Sequence, residues 1–159
     1  MSALGFIPDL LILSITFILI LIYRIPLAKF FMKLPLPNFL TYLIISLPFM
    51  LFEENINCLP SGCRLIPPTI PFLFAFVLVL GIIIKFAKIK SFWWPTICFS
   101  IWGVFVEYTM GASSGQLASL GLIQNLFMAF WVALSYAYLV VVPIEILLLH
   151  KKPHSKSKK

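Results

Sequence analysis

Residues 6–23, FIPDLLILSITFILILIY, run straight into the basic segment 24–33, RIPLAKFFMK. Eighteen helical residues at about 1.5 Å each nearly match a hydrocarbon core of about 30 Å. The run carries a single acid, Asp9, near its start. No base precedes it, whereas a secretory signal has its positive residues in front. The segment therefore reads as a retained membrane span with its N-terminus outside and Arg24, Lys29 and Lys33 on the cytoplasmic side.

The rest of the chain repeats the theme. Of 159 residues, 62% are hydrophobic and 11% charged, and the mean hydropathy is +1.07. A soluble core of this size cannot hide so much apolar surface. The expected architecture is an all-α, polytopic transmembrane bundle of about five spans, at residues 6–23, 39–54, 71–87, 92–110 and 122–149. Together they make one domain, 1–150. The remaining residues, 151–159, are expected to form a disordered basic cytoplasmic tail against anionic lipid.

Threading five spans places the loops after the first and third, together with the tail, on one side. That side collects eleven of the twelve bases, and Arg64 alone falls opposite. The positive-inside rule then gives an outer N-terminus and an inner C-terminus. The expected setting is the cytoplasmic membrane of a prokaryote. A net charge of +7 in a soluble chain would suggest nucleic acid, but here the bases flank the spans, so no nucleic-acid partner is expected.

Asp9, Glu53, Glu54 and Glu107 gather at the outer side, with Asn55, Asn57, Gln116, Gln124 and Asn125 nearby; Glu145 alone lies toward the inner end. Acids contribute little to orientation, so their gathering needs another cause. An ionised carboxylate in hydrocarbon costs roughly 2.5–3.5 kcal/mol on insertion scales, which makes an intramembrane acid a functional candidate. Glu107, about 22 Å along its span, is the strongest instance: a carboxyl screened from water, able to give or take a proton.

Glu53 and Glu54 project about 100° apart on a helix, so only one easily faces the interior. A weak internal echo selects Glu54: Phe52-Glu53-Glu54 recurs as Phe105-Val106-Glu107, and Ser61-Gly62 recurs as Ser114-Gly115 at the same offset. The echo suggests a parallel repeat of two helix pairs, with a shared site between them. Glu107 and Glu54, with Glu53 beside them, are the candidate catalytic residues. A bare helix end in water is the competing reading of E-E-N-I-N.

The same oxygens suit a hard cation, but the metal itself stays unassigned and no cofactor is expected. His150 and His154 lie at the opposite face, which disfavours zinc. Cys58 and Cys63 bracket the turn C-L-P-S-G-C on the outer side and are expected to form a disulfide. Cys98 reads as an inert apolar side chain. Ala129, Ala133 and Ala137 form a small-residue stripe for helix packing, in the bundle, in a homo-oligomer or against a membrane-protein partner. Tyr136, Tyr138 and Ser135, deep in the last span, can hydrogen-bond a ligand or one another.

No phosphate-binding glycine loop, H-E-x-x-H, G-x-S-x-G or N-x-S/T occurs. The spacing Glu107-x-x-x-Gly111-x-x-x-Gly115 is loosely similar to glutamate- and glycine-containing stretches of membrane carotenoid-modifying enzymes, and it is too short to assign a family. Two functions are expected. One is a membrane-embedded acid/base enzyme of lipid or isoprenoid metabolism. The other is a small transporter or non-catalytic complex subunit that binds a proton or cation.

Overall fold

The computed structural model describes residues 6–57, 69–109 and 120–150. Among these there are five helices and no strand: α1 (Phe6–Phe31), α2 (Asn38–Asn57), α3 (Ile70–Phe86), α4 (Trp93–Thr109) and α5 (Leu122–His150). Stretches of α1 and α5, Leu11–Phe31 and Leu122–Leu149, are long and apolar enough to cross a membrane.

The first helix departs from the sequence expectation. It does not stop at Tyr23 but continues to Phe31, carrying Arg24, Pro26 and Lys29 within it. Proline removes one backbone donor, yet the flanking residues are good helix formers and the turn closes beyond it. Lys33, donating its backbone N–H to Phe30 O at 3.1 Å, marks the real exit. The second helix likewise runs past Glu53 and Glu54 to Asn57, so E-E-N-I-N forms the closing turn of α2.

α5 is the axis of the fold. Of its most apolar stretch 83% is buried, against 11% for α1, so α5 lies inside and α1 on the periphery. It packs against α1, α2 and α4, while α3 lies mainly against α2. Its C-terminal half, Leu139 to Ile146, is apolar apart from Glu145, and Leu139, Val140, Val141, Val142, Ile144 and Ile146 are fully enclosed.

The contacts fix the directions. Ile45 of α2 meets Val142 and Ile146, while Phe49 and Phe52 stack on Tyr138, so α2 runs antiparallel to α5. Phe99 of α4 stacks on Tyr136 with centroids 5.7 Å apart, and Tyr108 donates to Asn125 O at 2.7 Å, so α4 is antiparallel too. Ala28 of α1 joins the Val142 and Ile146 end, making α1 parallel to α5. The hairpins α2–α3 and α4–α5 share an antiparallel sense, but α3 is peripheral where α5 is central, which departs from a symmetric repeat.

Four buried hydroxyls inside this bundle are satisfied locally. The hydroxyls of Thr41, Ser46, Thr96 and Ser100, all buried, each bond the carbonyl four residues back. This is the partner a helix offers where water is absent. Tyr42 instead reaches across, donating to Val77 O at 2.6 Å from a fully enclosed ring, and it rests on Gly81, where any larger residue would push α2 and α3 apart. Tyr42→Phe keeps the ring and removes one buried donor. It is expected to cost about 1 kcal/mol, read as a lower unfolding midpoint in detergent micelles.

At the start of α5, Gly121 N donates to Gln124 Oε1 at 3.2 Å, half of a capping box. Asn125 Nδ2 donates to Leu120 O at 2.9 Å. Two of the polar residues singled out at the outer side therefore shape the entry into α5.

Candidate carboxylate site

Glu53 and Glu54 come from the last turns of α2 and Glu107 from the last turn of α4. Since both helices run antiparallel to α5, their carboxylates arrive at the same end and flank Tyr136. The Tyr136 hydroxyl donates to Glu107 Oε1 at 3.2 Å. Tyr136 also lies within electrostatic range of Glu53 and Glu54. Glu54 is hydrogen-bonded by the side chain of Thr69, which leads into α3, and interacts electrostatically with Glu107. Three helices and the N-cap of α3 thus contribute to one polar cluster around Tyr136.

The relative depth of the two neighbouring glutamates reverses the sequence expectation. Glu53 is buried at 4% exposure, whereas Glu54 is half-buried. The cause is the stripe on α2 that faces α5: Ile45, Phe49 and Met50 lie on it, and Glu53 follows three residues after Met50. Glu54 is rotated toward the start of α3 and so meets Thr69. Both reach the cluster, Glu53 from the side of Tyr138 and Glu54 from the side of Glu107.

Gly103 makes the cluster possible. A β-carbon at this position would lie inside the Tyr136 ring, so only glycine lets the ring settle against the α4 backbone. Gly103 carries no motif in the sequence. The available signal is a glycine one turn before Glu107 in an apolar helix, which often marks close helix approach. Ser135 precedes Tyr136 on α5, and its buried hydroxyl has no hydrogen-bond partner among the described residues, unlike the four back-bonded hydroxyls above.

Other expected positions fall elsewhere. Ala137 is buried while Ala129 and Ala133 are half-buried along α5. Cys98 is a free thiol exposed on α4. Cys58, Cys63 and their expected disulfide, Arg64, Gln116, His154 and the basic tail lie outside the described residues, and the side chains of Asp9, Asn57 and His150 are not among those described. Among the described residues, no three His, Cys, Asp or Glu side chains converge closely enough to hold a metal ion.

The opposite end of α5 holds a second polar feature. Glu145, almost fully enclosed, pairs with Arg24 of α1, Nε to Oε2 at 3.5 Å. Arg24 Nη1 donates to Leu21 O at 2.8 Å, and the guanidinium lies 4.6 Å from the Phe92 ring centroid beside the start of α4. The pair ties α1 to α5, and the ring contact adds the α4 entry.

Comparison of the whole chain with protein-family models, curated proteins and solved structures gives no match, so the reading of this site rests on its own geometry.

Proposed function

We propose that the chain is a multi-pass membrane protein whose five helices all cross the bilayer, with the lysine-rich end cytoplasmic, and that it acts as an acid/base enzyme on a lipid or isoprenoid. The membrane part of this reading is supported by the outer faces of the helices. Ile15, Ile22, Phe86, Ile101 and Phe130 are more than half exposed, on four different helices. A soluble protein rarely leaves so much apolar surface in water, whereas lipid covers it at no cost. The 17-residue helices α3 and α4 sit at the short limit of a crossing.

The observation that carries the catalytic part is the contact of Tyr136 with Glu107 beside Glu54. Two carboxyls and a phenol share one half-buried space, where one carboxyl can deliver a proton to an apolar substrate while the other accepts one. Tyr136, as donor to Glu107, orients that carboxyl. Isomerisation, cyclisation or hydration of a carbon–carbon double bond needs little more than such a pair held away from bulk water.

The transport alternative draws less support. A route from this cluster toward Glu145 would pass Leu139, Val140, Val141 and Val142, all enclosed and aliphatic, and would end on a carboxylate engaged by Arg24. The test compares lipid and pigment extracts from cells carrying the wild-type chain, Glu107→Gln, or neither. A product present only with the wild type, and lost in Glu107→Gln at equal membrane insertion, is expected. An unchanged product profile in that variant removes Glu107 from catalysis.

A further inference from the structure

We infer that the turn between α3 and α4 is a binding surface for anionic phospholipid, with Lys88 and Lys90 on the lipid phosphate and Trp93 and Trp94 at its glycerol level. This rests on the membrane reading of the bundle but is independent of the carboxylate site, which lies at the other end.

The turn is built to present its charges. α3 ends at Phe86, its C-cap Ala87 bonds back to Ile83 O at 2.8 Å, and Lys88 then adopts φ 53°. A left-handed residue after a helix is usually glycine or asparagine, so a lysine here holds a conformation most side chains avoid. Next, Ile89 packs against the core, and its two neighbours, Lys88 and Lys90, are exposed. One apolar anchor between two bases thus turns both away from the protein. Lys85, one turn earlier, already sits 5.4 Å from the Phe39 ring centroid.

Trp93 and Trp94 follow at 53% and 68% exposure, and Phe86 is exposed at 75%. Indoles favour the level between headgroup and acyl chain, and they begin a helix whose outer face is apolar from Ile97 onward. Among the described residues, the acid at this end is Glu145, which Arg24 engages. The turn therefore offers positive charge without a competing carboxylate, beside aromatic rings at interface depth. An anionic headgroup with two acyl chains complements both features, since each lysine near an anionic surface gains about fivefold in binding.

The full chain is purified in detergent, incubated with mixed phosphatidylcholine and phosphatidylglycerol, and its retained lipids are counted by native mass spectrometry. Phosphatidylglycerol is expected to be enriched, and Lys88→Asn combined with Lys90→Gln is expected to lower that enrichment about twenty-five-fold. Asparagine tolerates the left-handed backbone, so the variant keeps its turn. Lys29→Gln with Lys33→Gln, from the exit of α1, is expected to leave most of the enrichment intact.

Equal retention of the two lipids overturns the inference. So does an equal loss in both double variants, which would mean diffuse attraction instead of a site. Displacement of the lipid by inorganic phosphate at constant ionic strength would show that the turn takes free phosphate, and overturns it as well. Failure of the membrane reading is distinguishable, because the chain would then retain neither lipid and would remain folded without detergent.

Discussion

Arg24→Ala is expected to destabilise the protein by about 3 kcal/mol or more, with loss of α1 docking. The cost arises less from the lost attraction than from what remains. Glu145 has 6% side-chain exposure, so removing Arg24 leaves a carboxylate enclosed among aliphatic neighbours without its counter-charge. Breaking a buried pair from one side typically costs 3–5 kcal/mol. Arg24 itself is 26% exposed, which favours the lower end of that range. The variant also loses the guanidinium over Phe92 and the bond to Leu21 O.

Two companion variants separate these effects. Glu145→Gln removes the charge but keeps a polar group, and should lose less. Arg24→Met with Glu145→Met replaces both charges by apolar chains and should recover most of the stability, as buried pairs often do. Unfolding midpoints in detergent micelles report all three. If the double variant is as unstable as Arg24→Ala, the unpaired carboxylate is not the cause.

How much of this was open to sequence reading depends on the solvent. In water, an apolar stripe says which face of a helix turns inward. In a membrane-like sequence, core and lipid surfaces are equally greasy, so periodicity is silent about inside and outside. Helix number and direction were therefore legible from run length and flanking bases, but not the central place of α5 or the peripheral place of α3. Polar residues carried what orientation remained. Gathering Glu53, Glu54 and Glu107 at one end followed from threading alone, and the structure places them around Tyr136.

The choice between Glu53 and Glu54 leaned on an echo of a few common residues, and the packing stripe on α2 decided the depth differently. The Arg24–Glu145 pair had a usable sign. Threading puts the lone inner acid at the end that holds Arg24, and an unpaired charge inside a bundle is too costly to leave so. Taking Arg24 as the start of a loop concealed it, because a base after eighteen apolar residues normally marks an exit, and here the helix ran two turns further.

Gly103→Leu is expected to have the largest effect on the carboxylate site and to cost more than the usual 1–3 kcal/mol of overpacking. The obstacle is a ring, not the end of a flexible chain. A β-carbon at Gly103 would overlap several ring atoms of Tyr136, and the ring is enclosed between α4 and α5 beside Phe99. The nearest ring atom is Cγ, beside the α5 backbone and not at a flexible side-chain end, so relief requires the backbone to shift. α4 must then separate from α5, which breaks the hydrogen bond from Tyr136 to Glu107 and moves Glu107 away from Glu54.

Gly103→Ala should show the same direction with a smaller magnitude. Tyr136→Ala alone leaves a cavity and costs about 3–5 kcal/mol. Combined with Gly103→Ala, it should lose less than the two changes added together, because each change relieves the strain of the other. Tyr136→Phe isolates the chemistry: it keeps the ring and the packing and removes only the hydroxyl. With Glu107 in catalysis, Tyr136→Phe slows turnover at a stability cost of about 1 kcal/mol, that of one buried hydrogen bond, whereas Gly103→Ala lowers activity and costs more stability. Simple additivity of Gly103→Ala and Tyr136→Ala in micellar unfolding would mean that the two residues do not touch, and the glycine would then have no role in setting the site.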